Sequence, residues 1–144
     1  MTEDDITQYI IDMLGGGRFV VADDNSFFFC DATDRFPFAT LVTKDNELDN
    51  ASKLDRAGVF RLDIGVGKET FRSLFDQPEQ EGADFTAIDR LMPHPVHGKM
   101  HWVSVINPSR QTFETVKPLL AQARRLRSAR EPDEHDEDGP GPKG

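Results

Sequence analysis

The chain has 144 residues, enough for one domain with its own hydrophobic core. Its 26 acidic and 17 basic residues leave a formal charge of −9, which argues against sequence-independent binding to nucleic-acid phosphates, because that depends on clustered Lys and Arg. Cys30 is the single cysteine, so an intramolecular disulfide and a cysteine-based zinc cluster are excluded.

The first predicted element is an amphipathic helix. Thr2 and Asp5 have the spacing of a capping box at its start. Apolar residues then recur at helical spacing: Ile6, Tyr9, Ile10, Met13 and Leu14. Three glycines at residues 15–17 end the pattern, because glycine tolerates the left-handed conformation beyond a helix.

Short apolar segments then predict an antiparallel sheet of about four to five strands. Residues 19–22 and 27–30 flank a turn-rich segment and predict a hairpin. Further strands are predicted at residues 38–43, 59–66 and 100–106, whereas residues 85–92 fit either a helical turn or a short strand.

The strand at residues 59–66 alternates in polarity. Arg61 and Asp63 lie on one face, and the alternating positions are apolar. Because an antiparallel sheet commonly packs one face on the core and leaves the other solvated, we expect Arg61 and Asp63 to face water or a partner.

Two more helices are predicted, at residues 68–75 and near the C-terminus, and a mobile loop is predicted at residues 76–84, directly after the first of them. The last helix is expected to gain regular hydrogen bonding near Thr115, with Pro118 in its first turn, where the missing N–H does no harm. After it, residues 131–144 carry a net charge of −5 and no apolar residue, so we predict a disordered acidic tail.

These elements predict a single α+β domain at residues 1–130, with the sheet packed by the N- and C-terminal helices. The acidic N-terminus is unlike a signal peptide, and no apolar run approaches the roughly 18 residues of a membrane helix. We therefore predict a soluble, cytoplasmic protein that does not contact membranes.

Three segments resemble a known bacterial family. They are Phe-Pro-Phe-Ala-Thr-Leu-Val at residues 36–42, Gly-Val-Phe-Arg-Leu-Asp-Ile-Gly-Val-Gly-Lys at residues 58–68, and Met-Pro-His-Pro through His-Trp-Val at residues 92–103. Over about residues 1–126 the chain resembles the domain of unknown function 6194 family. The resemblance implies a globular domain and no assigned activity.

A second, more distant resemblance is to MmcQ/YjbR-like proteins, which end in a Lys-x-His-Trp-x-x-Val strand followed by a helix. Lys99, His101, Trp102 and Val105 match that motif. The resemblance implies helices packed on an antiparallel sheet. Nucleic-acid binding has been suggested for some proteins of that shape, but this domain is not net basic.

Three histidines, His94, His97 and His101, form a candidate metal site with Asp89 nearby. Imidazoles suit zinc, iron, nickel or copper, and three close ligands can form an open site. However, two prolines and a glycine within the cluster rule out a helix that would bring the rings one turn apart. The alternative is that His101 packs beside Trp102, while the other two are loop residues near the surface.

The turn at residues 65–70 (Gly-Val-Gly-Lys-Glu-Thr) could present backbone amides to an anion. Leu62 and Glu69 stand where a phosphate-binding loop needs Gly and Ser or Thr, which argues against a nucleotide site. Lys68 is kept as a candidate for a weaker carboxylate or phosphate contact.

No complete catalytic constellation is present, so we expect a non-catalytic binding or interaction module that uses residues 89–102. Its partner would be a small molecule or a protein, and no cofactor is predicted. The candidate ligand-binding residues are Arg61, Asp63, Lys68, Asp89, Arg90 and Trp102.

Two alternatives stay open. The first is a small metal-dependent enzyme that holds a transition metal at His94, His97 and His101. The second is a weak nucleic-acid binder that uses the arginines within residues 124–130, and we rank it last because the domain is acidic.

Overall fold

The computed structural model describes residues 1–14, 17–31, 33, 35–75 and 84–129. Within them the α-helices and strands follow the order α1 (Glu3–Leu14), β1 (Arg18–Ala22), β2 (Asn25–Phe29), β3 (Ala39–Val42), β4 (Arg61–Gly65), α2 (Lys68–Leu74), β5 (Met92–Pro93), β6 (Trp102–Ile106) and α3 (Arg110–Ala129). The glycines predicted to end the first helix at residues 15 and 16, the predicted mobile loop at residues 76–83 and the predicted tail at residues 131–144 lie outside the described residues.

The strands form one antiparallel sheet in the order β1-β2-β3-β4-β6-β5. This confirms the predicted α+β fold, with six strands instead of four to five. The additional strand is β5, where Met92 and Pro93 pair with Ser104 and Val103 of β6. In this order β4 is central, with β3 on one side and β6 on the other.

The main hydrophobic core joins the helices to one face of the sheet. Leu62 and Ile64 of β4 pack in the same cluster as Ile10 of α1, Phe71 of α2 and Leu120 of α3. The predicted capping box starts α1, because the Asp5 carboxylate accepts the N–H of Thr2 at 3.0 Å and the Thr2 hydroxyl accepts the N–H of Asp5 at 3.1 Å. No helix in the described part of the chain is long and apolar enough to cross a membrane.

The opposite face of the sheet is also covered. Leu54, from the irregular segment at residues 44–57, packs with Met92 of β5 and Ile106 of β6, and Phe85 packs against this second, smaller cluster. The expectation that one side of β4 meets water or a partner is therefore wrong. Arg61 and Asp63 lie on that side, and their exposed fractions are 0% and 1%.

The last helix begins five residues earlier than predicted. The Ser109 hydroxyl accepts the backbone N–H of Thr112 at 3.1 Å, and Asp89 accepts the N–H of Ser109 at 2.8 Å, so these side chains satisfy the helix start. Pro118 consequently lies inside α3 and not in its first turn. Its side chain is exposed, so the ring stands on the solvent side of the helix.

Candidate binding site

A buried ion pair lies at the centre of the sheet. Arg61 and Asp63 are two residues apart on β4, so their side chains share a face. The Arg61 guanidinium donates to both oxygens of Asp63, from Nε to Oδ1 at 2.8 Å and from Nη2 to Oδ2 at 3.2 Å. This fork-to-fork geometry is the strongest arrangement available to an arginine and a carboxylate.

The neighbouring strands complete the coordination of Asp63. Its register partners are Thr40 on β3 and Ser104 on β6. The Ser104 hydroxyl donates to Oδ1 at 2.7 Å, and the Thr40 hydroxyl donates to Oδ2 at 3.1 Å. Three adjacent strands thus place their polar side chains around one carboxylate.

The same arginine ties the segment at residues 44–57 onto the sheet. Its Nη1 donates to Asp49 Oδ1 at 2.9 Å and to the Ser52 hydroxyl at 3.1 Å, and its Nη2 donates to Asp49 Oδ2. Asn46 shapes the segment locally, because its side-chain oxygen accepts the N–H groups of Leu48 and Asp49, at 2.8 and 2.9 Å.

His94 closes the network from the other side. Its Nδ1 accepts the backbone N–H groups of Val96 and His97, both at 3.0 Å. Because Nδ1 is the acceptor, the hydrogen-bond geometry assigns the proton to Nε2, which lies 3.4 Å from Asp63 Oδ2. His94 therefore links the turn at residues 94–97 to the sheet through both ring nitrogens.

The charges in this network are fixed by their neighbours. Burial by itself would raise the pKa of the Asp63 carboxyl, but His94, Arg61 and their hydrogen bonds hold that pKa well below its usual range. Burial would likewise lower the pKa of Arg61, whereas Asp63 and Asp49 raise it above its usual value. Partial burial lowers the pKa of His97, which favours the neutral form of that ring at pH 7.

An open cleft of about 430 Å³ lies next to this network, between α2 and residues 93–101. Its volume falls in the range of small-molecule sites, roughly 300–1,000 Å³. The apolar side chains that line it are Phe71, Phe85, Pro93, Pro95 and Val96.

The polar lining of the cleft is basic or neutral. Arg72 and Lys99 line it together with His94 and His101, and no Asp or Glu is among the described residues of its lining. Within the described part of the chain, neither Arg72 nor Lys99 takes part in an ion pair. The His101 ring packs edge-on against Phe71, with the ring centres 5.5 Å apart.

The predicted ligand-binding residues are dispersed. Arg61 and Asp63 are in the buried network, and the exposed Asp89 caps α3. Lys68 and Arg90 are exposed, and neither lines the cleft among its described residues. Trp102 packs over Gly65, its partner across β4 and β6, so closely that a Cβ at residue 65 would lie 2.8 Å from the indole. A binding role for these six residues stays a prediction.

The three histidines predicted to hold a metal are partly assembled. The rings of His94 and His97 lie 4.7 Å apart, and His101 faces Phe71. Across the described ranges, no group of three or more His, Cys, Asp or Glu side chains is arranged to hold a metal ion. A metal at this cluster stays a prediction.

The arginines considered for nucleic-acid binding contribute to packing in the part of α3 that is described. Arg124 donates to the backbone carbonyl of Leu14, at the end of α1. The Arg127 guanidinium lies over the ring of Phe36, 5.5 Å from its centre. Two of these arginines, Arg124 and Arg127, therefore contact other parts of the domain.

Sequence reasoning did not identify Asp49, Ser52 and Ser104 in the network, nor Arg72 and Phe85 in the cleft. The sequence contains only an indirect indication of the network. Polar residues on three strands converge on Asp63 when the strand register is known, but the register is a long-range property.

The fold and site define an α+β protein with a closed, buried ion network beside an open cleft. The model of a family of unknown function, DUF6194, matches residues 1–136, so the chain belongs to that family. No curated protein and no solved structure matches the chain. The resemblance to MmcQ/YjbR-like proteins therefore stays a prediction.

Proposed function

We propose that this chain is a non-catalytic binding module, and that the cleft formed mainly by residues 93–101 takes a small molecule. The observation that carries the proposal is the cleft itself. It has the volume of a ligand site and combines apolar walls with a few polar groups at its side. It also coincides with the loop-and-strand region expected to bind a partner.

The adjacent network supports binding more than catalysis. General acid–base catalysis needs a group that changes protonation near the working pH and can reach the substrate. Asp63 stays ionised, and its oxygens accept bonds from Arg61, Ser104 and Thr40. Both nitrogens of His94 face partners of their own.

The network instead holds one wall of the cleft in place. His94 is 95% buried and anchors the turn that carries Pro95 and Val96 into the lining. A wall that is already ordered reduces the entropy lost on binding. We place this module in the cytoplasm as part of the proposal, since a domain with one cysteine does not use the disulfides that are common in small secreted domains.

The test is a screen of small neutral and charged fragments against the isotopically labelled protein, followed by two-dimensional amide NMR. We expect ligands to shift the amide signals of residues 93–101. Val96→Trp should block the cleft and abolish these shifts, because Val96 lines it while keeping its backbone N–H on His94.

The matched control is Ile88→Trp, since Ile88 is also an exposed apolar residue but is not among those lining the cleft. It should leave ligand binding unchanged. The proposal would be overturned by a screen in which no fragment shifts the cleft amides, or by measurable turnover without ligand binding at the cleft.

A further inference from the structure

We infer that the ligand of this cleft is a small organic anion that carries a planar apolar group. Its carboxylate or phosphate would be bound by Arg72 and Lys99, and its planar group would lie against Phe71 and Phe85. This inference rests on the proposed function, because it specifies the ligand of the same site.

The first reason is that the two cations of the cleft lack ion-pair partners among the described residues. Elsewhere in the described chain, Lys44 pairs with Asp24, and Lys117 pairs with Glu114, at 3.0 and 2.8 Å. Arg72 and Lys99 have no such partner among the described residues, which is also true of Lys68 and Arg90, but Arg72 and Lys99 line one cleft and the other two do not. Two unpaired cations at one concave site favour an anionic ligand.

The second reason is the contrast with the rest of the protein. The chain carries a net charge of −9, whereas the charged side chains among the described cleft residues are cations. A cleft lined by charges of one sign focuses the electrostatic field and raises the local concentration of ions of the opposite sign. The acidic surroundings oppose an extended polyanion, because such a ligand would have to cross them, so a small anion fits better than a nucleic acid.

The third reason is the nature of the walls. Phe71 is held edge-on between Phe75 and His101, with ring centres 5.0 and 5.5 Å away. Phe85 packs on the second hydrophobic cluster, which fixes it to the sheet. Phe71 is only 4% exposed, so the half-buried Phe85 offers the larger apolar surface on which a planar ring packs in stacked or edge-on geometry.

The experiment is isothermal titration of the full chain with two anions, benzoate and phenyl phosphate, and with the neutral counterparts benzamide and benzyl alcohol. We expect the anions to bind more tightly than the neutral compounds, and their affinity to fall as the NaCl concentration rises. The Arg72→Gln/Lys99→Gln double variant should weaken anion binding about tenfold, the scale for losing a hydrogen bond to a charged group.

Lys44→Gln is the matched control, because Lys44 is exposed, paired with Asp24 and not among the described cleft residues. It should leave the anion affinity within about twofold, a change close to the small worth of one surface charge. Both substituted residues of the double variant are exposed, so its melting temperature should match that of the unsubstituted protein.

The outcomes separate this inference from the proposed function. Neutral compounds that bind as well as the anions, or a double variant with unchanged affinity, would overturn the anionic ligand and leave the binding module intact. Inorganic phosphate that binds as tightly as phenyl phosphate would overturn the planar apolar group. If none of these compounds binds and no fragment shifts the cleft amides, the proposed function falls with the inference.

Discussion

Asp63 illustrates how a single residue acquires its properties from the strands around it. The carboxylate receives donors from Arg61 on its own strand and from Thr40 and Ser104 on the two neighbouring strands. The low pKa of Asp63 follows from these partners, since each stabilises the charged form against the cost of burial.

Asp63→Asn should lower the free energy of unfolding by about 3 kcal/mol at pH 7, because it leaves Arg61 without its main buried partner and points an amide N–H at other donors. A depressed folded-state pKa stabilises the fold above the unfolded value, about 4, and that stabilisation is lost as the pH falls towards the folded value. The stability difference between the two proteins should therefore shrink below about pH 4. Urea unfolding of both proteins at a series of pH values from neutral to acidic measures this difference in the free energy of unfolding.

The control for this change is Glu47→Gln. Glu47 is an exposed acidic residue of the segment that Asp49 ties to the sheet. Its replacement should alter the free energy of unfolding by less than about 0.5 kcal/mol. A similar loss in both variants, or a loss in Asp63→Asn that persists unchanged into acid, would contradict the assigned network.

At the scale of elements, the segment at residues 93–101 is ordered although it is neither a long helix nor a strand. The His94 carbonyl accepts the N–H of Gly98, and the His97 carbonyl accepts that of Met100, at 3.0 Å each. The imidazole of His94 binds two more N–H groups from inside the turn. The side chain thus substitutes for backbone partners that the irregular segment lacks.

Two substitutions of His94 separate its two contacts. In His94→Asn, the side-chain oxygen can still accept the N–H groups of Val96 and His97, as Asn does in Asx-turns. In His94→Gln, the longer amide reaches towards Asp63 but leaves those two N–H groups without an acceptor. We expect amide hydrogen exchange at residues 96 and 97 to be at least about tenfold faster in the Gln variant than in the Asn variant.

The amides of β6 provide the internal reference for this comparison. They pair with β4 and do not depend directly on the imidazole, so their exchange should differ less between the two variants. Equal protection of residues 96 and 97 in both variants would show that Nδ1 is not their acceptor. The contact of Nε2 with Asp63 would then need reassignment as well.

For the whole molecule, the decisive feature is a sheet whose central strand, β4, is covered on both faces. The helices bury one face in the main core, and residues 44–57 with Phe85 pack on the other, where Met92 of β5 and Ile106 of β6 complete the second cluster. The ion network lies under the second cover, where water is excluded. The fold therefore uses a hydrophobic core on one side and a partly polar one on the other.

Leu120→Ala should lower the free energy of unfolding by about 2–5 kcal/mol, because it opens a cavity between α3 and the sheet. Leu48→Ala removes the same atoms from a side chain that is 85% exposed, and its effect should stay below about 0.5 kcal/mol. Thermal or denaturant unfolding of both variants measures the difference. Equal effects would contradict the placement of Leu120 in the main core.

Much of the fold could be predicted from local patterns. The Thr2–Asp5 capping box, the period of α1 and the turn-bounded strands depend on residues close together in the chain. Boundaries were less accurate. The helix α3 begins at Arg110 because the Ser109 side chain accepts the N–H of Thr112. Asp89, 20 residues away in sequence, in turn accepts the N–H of Ser109.

The candidate cleft lies partly within the region that was singled out from the sequence. The region at residues 89–102 was singled out by its proline-constrained loop, and residues 93–101 supply most of the cleft lining. Phe71, Arg72 and Phe85 join it from other parts of the chain. Since no local pattern indicates which distant side chains will share a cleft, these three residues could not be assigned to it from the sequence.

For β4, the sequence determines which side chains share a face, whereas only the tertiary structure determines whether that face is buried. Alternation along the chain is enough to show that Arg61 and Asp63 share one face, because side-chain direction in a strand has a period of two. Whether that face meets water depends on what packs over it. Asp49 and His94, 12 and 33 residues from Arg61, provide the cover through contacts that exist only after the chain has folded.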